Sequence, residues 1–496
     1  MLNDASAGSA FPAFPTSGPT PGWIDPVLLA GSDDEPCLRL DRPIDRAELR
    51  ALVAEQEQRL TGAGLGPGGT ATLLLPPSLG FITALLAVWR IGAQVSLLDH
   101  RLTRAEVDRA LDRLAPQALV EAAGQVSTGL RGFADVRTSA VARPQGVAAS
   151  SAHALIQLSS GSTGPSKVIA RTAEDLVFEL ERYARLPQFP ARGHRVVLLS
   201  SMVHVLGLVG GLLQALHAGA ELVLPERMTA AGILSAIASG SAPTTVIGVP
   251  FHAELLTGVA EPPPLPALTR MIVAGELTRP GLPEAFTARY GVPLGSMYGM
   301  TELGVIATDL TGALRPELEP TNRLELHVRD GELHIRMPQS PYLGATDPAR
   351  WSDGWLHTRD AARFDAGTGR LTILGRRDSQ VSIGGLKVDL TEVEQTLGLA
   401  KGVTGAVLVF EAGAIEAYVT LDEGVTAEEV RAELATQVAS FKMPRHLRVL
   451  TQLPRTSTGK VLRDPTALRR AAAEAEAALT VPEVGARSDA QAVSEL

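Results

Sequence analysis

The run Leu158-Ser159-Ser160-Gly161-Ser162-Thr163-Gly164-Pro165-Ser166-Lys167 concentrates the side chains that grip phosphate. Glycines let backbone amides converge on phosphate oxygens, hydroxyls add donors, and Lys167 supplies a cation. A solvated Ser/Gly linker has a similar composition, but this run sits flush against the apolar Ala154-Leu155-Ile156 and ends in a lysine. Only five lysines (Lys167, Lys387, Lys401, Lys442, Lys460) stand among the 45 basic residues. Arginine therefore serves wherever any cation suffices, and a lysine marks a place where a compact ammonium on a flexible stem is wanted; Lys401 reads as a surface residue. The usual P-loop needs Gly, four residues, then Gly-Lys-Ser/Thr, whereas here Gly161 and Gly164 stand three apart and Lys167 follows three later.

Four other clusters carry chemistry. In Tyr298-Gly299-Met300-Thr301-Glu302-Leu303-Gly304 an aromatic face suits a purine, a hydroxyl suits a phosphate, and a carboxylate suits Mg2+, which takes hard oxygen ligands; a core tyrosine in a turn is the alternative. In Trp351-Ser352-Asp353-Gly354-Trp355-Leu356-His357-Thr358-Arg359-Asp360 the second aspartate is placed to grip ribose hydroxyls. Gly375-Arg376-Arg377-Asp378 precedes Gly384-Gly385-Leu386-Lys387, and Pro454-Arg455-Thr456-Ser457-Thr458-Gly459-Lys460 puts another lysine on a Ser/Thr/Gly turn.

These clusters need a scaffold, and the texture of the chain supplies one. A helical run over 45–60, a Gly/Pro turn at 65–69 and a strand over 71–75 begin an alternation of helix and strand that implies α/β layering. Strand-like runs at 195–199, 221–224, 244–249 and 270–273 alternate with helices, which implies a large, mostly parallel sheet. The apolar stretch 79–88 is too short to span a bilayer and reads as a buried helix. After about residue 320 short strands and turns (324–328, 332–336, 371–374) predict a small β subdomain. A final α+β unit follows, with helices over 390–397, 427–440 and 468–479 and strands over 406–410 and 415–421. The expected architecture is α/β: a large N-terminal domain with mostly parallel sheets and a small β subdomain, followed by a small mobile α+β C-terminal domain. The expected boundaries are a flexible leader over 1–38, the large domain over 39–377, the small domain over 378–484 and a disordered tail over 485–496.

Bulk properties narrow the classes. With 496 residues, 45% of them hydrophobic, the chain is long enough for at least two buried cores. A formal net charge of -9 and the lack of any Lys/Arg-rich run argue against a nucleic-acid partner. Cys37 is the only cysteine, so no intramolecular disulfide and no cysteine-based metal cluster is available, which fits a cytoplasmic setting. The N-terminal run lacks the basic start and apolar core of a signal peptide, and no membrane span is expected.

In this order and spacing the five clusters resemble those of the adenylate-forming, AMP-binding superfamily of acyl-CoA synthetases, peptide-synthetase adenylation domains and luciferases. The stretch Val168-Ile169-Ala170-Arg171-Thr172-Ala173-Glu174-Asp175-Leu176 is similar to the aryl-acid AMP ligase branch, and Val203-His204-Val205-Leu206-Gly207-Leu208 to acyl-CoA synthetases. The resemblance implies an enzyme that uses ATP and Mg2+ to turn a carboxylic acid into an acyl-adenylate and then passes the acyl group to a thiol. That thiol is coenzyme A or, as the closest rival, the phosphopantetheine arm of an acyl or peptidyl carrier protein. An adenylate former with a non-thiol acceptor and a non-catalytic nucleotide binder are the further alternatives.

The same resemblance implies roles. Ser159, Ser160, Gly161, Ser162, Thr163, Gly164 and Lys167 would hold the β- and γ-phosphates. Gly275, Glu276 and Leu277 would lie against adenine, with Tyr298 on its other face. Thr301 would touch the α-phosphate, Glu302 the magnesium, Asp360 the ribose, with Arg376 assisting there. Asp378 would be the hinge, and Lys460 would bridge carboxylate and α-phosphate. Gly384 and Gly385 would present a side-chain-free edge to pantetheine. His204 is either a wall of the acyl pocket or a packed histidine, and Gly207 either leaves room for the acyl group or serves helix packing. Residues 202–219 contain no Asp or Glu, so a substrate without a free α-amine is expected. Two positions depart from the family pattern: Arg359 stands where glycine is usual and Ser382 where many members have lysine.

Overall fold

A computed structural model describes residues 22–102, 104–124, 132–134, 136–158, 168–344, 347–377, 380–383, 386–438, 440–456 and 459–480. The chain divides into two compact units at Leu374/Gly375.

Among the described residues the first unit is built on two sheets. The six-stranded sheet has its centre in Thr70–Leu74, Gln94–Leu97 and His153–Leu158, paired in parallel, with an antiparallel strand at each edge. The larger sheet of fourteen strands has a parallel centre made of Arg195–Leu198, Thr244–Gly248, Leu268–Ala274 and Leu294–Met300. These central strands are rich in apolar residues because both faces are covered; every residue of Arg195–Leu198 and Thr244–Gly248 is buried.

Between the sheets lies the main core. It joins Leu73, Val95 and Leu155 of the smaller sheet to Val196, Leu198 and Ile272 of the larger. The Leu79–Ile91 helix is apolar all round and buried within it, as a helix covered on every side must be. Its ends are set locally: Ser78 accepts from the Phe81 amide, a cap of about 1 kcal/mol, and Gly92 closes it at φ 80°. The Ala173–Ala184 helix opens with a capping box, in which Thr172 accepts from the Asp175 amide and Asp175 accepts from the Thr172 amide. It packs against strands of both sheets.

One expectation is revised. Residues 23–38 are part of the large unit: Ile24–Val27 form a short helix, Pro36–Arg39 a strand parallel to Glu221–Val223, and Ile24, Leu28, Leu29, Cys37 and Leu38 are buried in the main core. Apolar side chains at those positions draw this stretch onto the core, so a leader over 1–38 does not hold for its described part. The expected small β subdomain is present as the antiparallel end of the large sheet. Beyond Leu294–Met300 the large sheet turns antiparallel and continues through Gly304–Asp309, Glu317–Pro320, Arg370–Arg376, Trp355–Asp365, Glu332–Arg336 and Leu326–Arg329.

The second unit carries a three-stranded sheet of Val403–Glu411, Ala414–Leu421 and His446–Val449. It is covered by the Leu390–Leu399 and Ala427–Gln437 helices, which share a core with it at Val393, Leu397, Val419, Val430 and Leu434. The expected tail over 485–496 lies outside the described residues. No helix among the described residues is long and apolar enough to cross a membrane.

Candidate active site

Leu268–Ala274 and Leu294–Met300 run parallel, with Ala274 opposite Met297, so their carboxyl ends emerge side by side. In α/β proteins that edge is where ligands bind. Gly275 follows at φ 93°, a left-handed turn that glycine adopts without strain, and Leu277 is 42% exposed, an apolar side chain held open at the strand ends. On the neighbouring strand a register shift between Tyr298 and Gly299 re-aims the tyrosine. Its hydroxyl donates to Asp360 Oδ2 at 2.6 Å, so two residues 62 positions apart meet.

Asp360 is 6% exposed. Its approach is shaped by Arg359, which sits at φ 62°. The left-handed region disfavours a side chain, which explains why glycine is usual there. Two bonds hold the turn: the Arg359 amide donates to Glu332 Oε1 at 3.0 Å and the Asp360 amide to Thr358 Oγ1 at 3.1 Å.

Thr301, Glu302 and Leu303 form the tight turn between Met300 and Gly304, which are paired across the hairpin. The Tyr342 hydroxyl donates to Glu302 Oε1 at 2.8 Å. Tyr342 in turn is bridged to Ile169, and the Leu343 amide donates to the Val168 carbonyl at 2.9 Å. Leu158 and Val168 face each other as antiparallel partners. Leu158 and Val168, the flanks of the sequence from Ser159, Ser160, Gly161, Ser162, Thr163 and Gly164 to Lys167, thus lie together next to the residue that holds Glu302; that sequence itself lies outside the described residues.

The acidic turn rests on buried charge. Glu179 is fully buried, and Arg171 and Arg182 are each 2% exposed. Arg171 donates to Glu179 Oε2 at 2.6 Å, the Val305 amide to Glu179 Oε1 at 3.1 Å, and Arg182 to the Leu303 carbonyl at 2.7 Å. Burial lowers the Arg182 pKa from its usual value, while Glu179 acts to raise it, and the guanidinium lies 5.3 Å from the centre of the Phe178 ring. A Cβ at Gly304 would fall 1.9 Å from the Glu179 carboxyl carbon, so the last glycine of the cluster is required by close packing.

His204 is half-buried at the entry to a π-helix, Leu206–Leu213. The Val203 carbonyl accepts from Gln157 Nε2 at 2.8 Å, tying this entry to the strand that leads into the Ser159–Lys167 segment. A Cβ at Gly207 would meet the Ser201 carbonyl oxygen at 2.2 Å, so close backbone packing requires glycine there. Glu276 is half-buried beside Leu277.

In the second unit Lys460 is exposed on a turn closed by the Thr456 amide donating to the Lys460 carbonyl at 2.7 Å, with Gly459 at φ 86°. The backbone of Arg376 ends the Arg370–Arg376 strand. Asp378, Gly384 and Gly385 lie outside the described residues; the unit boundary at Leu374/Gly375 falls a few residues before Asp378.

Three supports were missed from sequence. Nothing local to Pro341-Tyr342-Leu343 announces Tyr342. Glu179 left a signal: it lies among Leu176, Leu180 and Tyr183 on the buried stripe of its helix, where an apolar residue belongs. Arg182 on the same helix completes it.

The Tyr298–Asp360 pair and the Glu302 turn thus stand at the carboxyl ends of parallel strands. The chain matches the AMP-binding enzyme family over residues 30–335 and the AMP-binding enzyme C-terminal domain over residues 392–460, and it belongs to that family. It is 27% identical to the p-hydroxybenzoic acid–AMP ligase FadD22 of Mycobacterium tuberculosis over 92% of this chain and 70% of that protein. It is 27% identical to a salicylyl-CoA synthase / salicylate adenylyltransferase of Streptomyces sp over 87% of this chain and 89% of that protein. In fold it resembles the anthranilate CoA ligase AuaEII in complex with anthranoyl-AMP, with a TM-score of 0.75 and 21% identity over 90% of this chain and 95% of that one.

Proposed function

We propose that this ligase uses ATP and Mg2+ to activate a carboxylic acid, an aryl acid by class, and transfers the acyl group to the thiol of coenzyme A. The observation that carries the reading is the pair of tyrosine-held carboxylates, Asp360 under Tyr298 and Glu302 under Tyr342, at the nucleotide edge of an AMP-binding fold.

The acid's oxygen attacks the α-phosphorus, the bond to pyrophosphate breaks, and a mixed anhydride remains whose AMP is displaced when sulfur attacks the carbonyl. Both reacting partners of the first step are anions, so the need is for charge stabilisation and positioning more than for acid-base help. Asp360 would take ribose hydroxyls, and Tyr298, its hydroxyl anchored, would offer a fixed ring face to adenine beside Gly275, Glu276 and Leu277. Glu302 fits Mg2+ because a hard carboxylate with one oxygen fixed by Tyr342 has its second oxygen without a hydrogen bond from any described residue. Mg2+ would neutralise charge on the phosphates there. Thr301 and the segment from Ser159 to Lys167 would add donors, and Lys460 would bring the ammonium that the first transition state needs. Asp378 would be the pivot for a second pose, with Gly384 and Gly385 along the path of the thiol.

An aryl acid is favoured by three things: the aryl acids in the relatives' names, the Arg171-Thr172 stretch, and the lack of a carboxylate over 202–219 to pair an α-ammonium. A cytoplasmic location suits a substrate set of ATP and coenzyme A. Loading of a carrier-bound phosphopantetheine is the second reading of the acceptor step.

The test is pyrophosphate exchange into ATP with benzoate, hydroxybenzoates, anthranilate and fatty acids, each with and without coenzyme A. Exchange with an aryl acid, lost in Lys460→Ala while that variant still makes thioester from supplied adenylate, is the expected result. Nucleotide binding without exchange on any acid would sink the proposal.

A further inference from the structure

On the face of the antiparallel part of the large sheet opposite Leu333, Ile335 and Leu356 of the core lies a second constellation, which meets the nucleotide site through the Glu332–Arg359 bond. Glu332 and His334 are two apart on the Glu332–Arg336 strand and share a face. His334 is the register partner of His357 on Trp355–Asp365 and of His327 on Leu326–Arg329. Three of the chain's ten histidines thus form one rung across three strands.

We propose that Glu332, His334 and His357 form a site for a divalent transition-metal ion, Zn2+ by chemistry. One donor atom from each lies within 4.8 Å of the others, and the two imidazoles stand 4.6 Å apart between centroids at 64°. Tetrahedral Zn2+ with bonds of about 2.0–2.1 Å holds its donors roughly 3.3 Å apart, so the three donors draw closer by up to about 1.5 Å when the ion binds. Two imidazoles and a carboxylate are a borderline-soft set that suits Zn2+, Ni2+ or Cu2+ and not Mg2+. The Glu332 side chain is 6% exposed, and the Arg359 guanidinium lies 4.0 Å from its Oε2. His357 Nε2 lies 3.1 Å from the Ser352 hydroxyl, the kind of outer partner that orients a ligating ring. His327 stays outside the cluster because its ring is stacked on Trp355 at 4.5 Å. Three protein ligands leave one position for water.

The site does not depend on the adenylation reading, since binding is read without turnover. Zn2+ is titrated into the full chain by calorimetry with Mg2+ in excess, and Co2+ is titrated with its visible spectrum recorded. The expected result is one equivalent of Zn2+ bound, a Co2+ spectrum of tetrahedral intensity, and a loss of affinity of about 10–100-fold or more in both His334→Gln and His357→Gln. Glu332 is left intact because its Oε1 holds the Arg359 amide. If no equivalent binds at micromolar Zn2+, or if it persists in either variant, or if Co2+ gives only the weak spectrum of an octahedral ion, the proposal fails.

Discussion

Replacing Glu179 by glutamine keeps the shape of the side chain and removes the negative charge that pairs with Arg171 and acts on Arg182. Breaking a buried ion pair by neutralising one partner costs about 3–5 kcal/mol. Here an amide NH2 would also face the Arg171 donor that now lies 2.6 Å from Glu179 Oε2. With an unfolding entropy of about 2.1 cal/mol/K per residue, that cost lowers the Tm of the large unit by roughly 4–6 °C. A second effect is functional. Val305 N–H and Leu303 C=O flank the turn that carries Glu302, and both are held by this network. A displacement of about 1 Å at reacting groups is enough for a hundredfold loss, so kcat for pyrophosphate exchange should fall about 10–100-fold, while thioester formation from supplied adenylate is unchanged. The triple variant Arg171→Met/Glu179→Leu/Arg182→Met separates the two effects. An apolar replacement of buried charges recovers stability, yet the turn stays untethered and exchange stays slow. Wild-type exchange in Glu179→Gln at a lowered Tm would refute the positioning argument, and wild-type values of both would refute the network itself.

Tyr298→Phe removes the donor to Asp360; a hydrogen bond to a charged group contributes about 1.5–3 kcal/mol, so the KM for ATP should rise at least tenfold, and an unchanged KM removes this pair from the nucleotide site. Arg359→Gly relieves a side chain at φ 62°, worth about 1–2 kcal/mol against about 0.4–1 kcal/mol of added unfolded-state entropy, so Tm should hold or rise slightly by calorimetry, and a fall of several degrees would contradict the strain argument. Cys37 is fully buried, and burial pushes its thiol up to about 12; a thiol-reactive chromogen should titrate no group in the native chain at pH 8 and one after denaturation, whereas rapid native labelling would place Cys37 at the surface.

The elements were legible because their periodicities are local. The runs over 45–60, 332–336 and 415–421 reappear as Arg46–Gly62, Glu332–Arg336 and Ala414–Leu421. The apolar 79–88 run reads as buried because it offers water no polar face, and the structure extends it to Ile91. What could not be read is how elements join. The small β subdomain was legible because short strands with polar turns differ in texture from the parallel centre, but its join to the centre was not: Glu317–Pro320 pairs on one side with Gly304–Asp309 and on the other with Arg370–Arg376. The glycine at 207 was ambiguous for a similar reason: only the folded chain places the Ser200 and Ser201 carbonyls where its side chain would be.

The same limit explains the supports of the site. The motif from Tyr298 to Gly304 contributes its chemistry from a few consecutive residues, but it is held by residues far away in sequence: Glu302 by Tyr342, 40 positions on, Tyr298 by Asp360, 62 positions on, Leu303 by Arg182 across 121 and the adjoining Val305 by Glu179 across 126. No window of sequence contains both partners. The physics does leave a trace, because a charge is tolerated at a core position only when it is paired, and Glu179 interrupts an apolar stripe on a helix that packs against both sheets. An ionisable residue on the buried face of a strongly amphipathic helix is therefore evidence that some distant backbone group needs holding. In this chain the backbone held is the turn that presents Glu302, so a variant that keeps every motif residue and loses Glu179 should lose the geometry on which those residues depend.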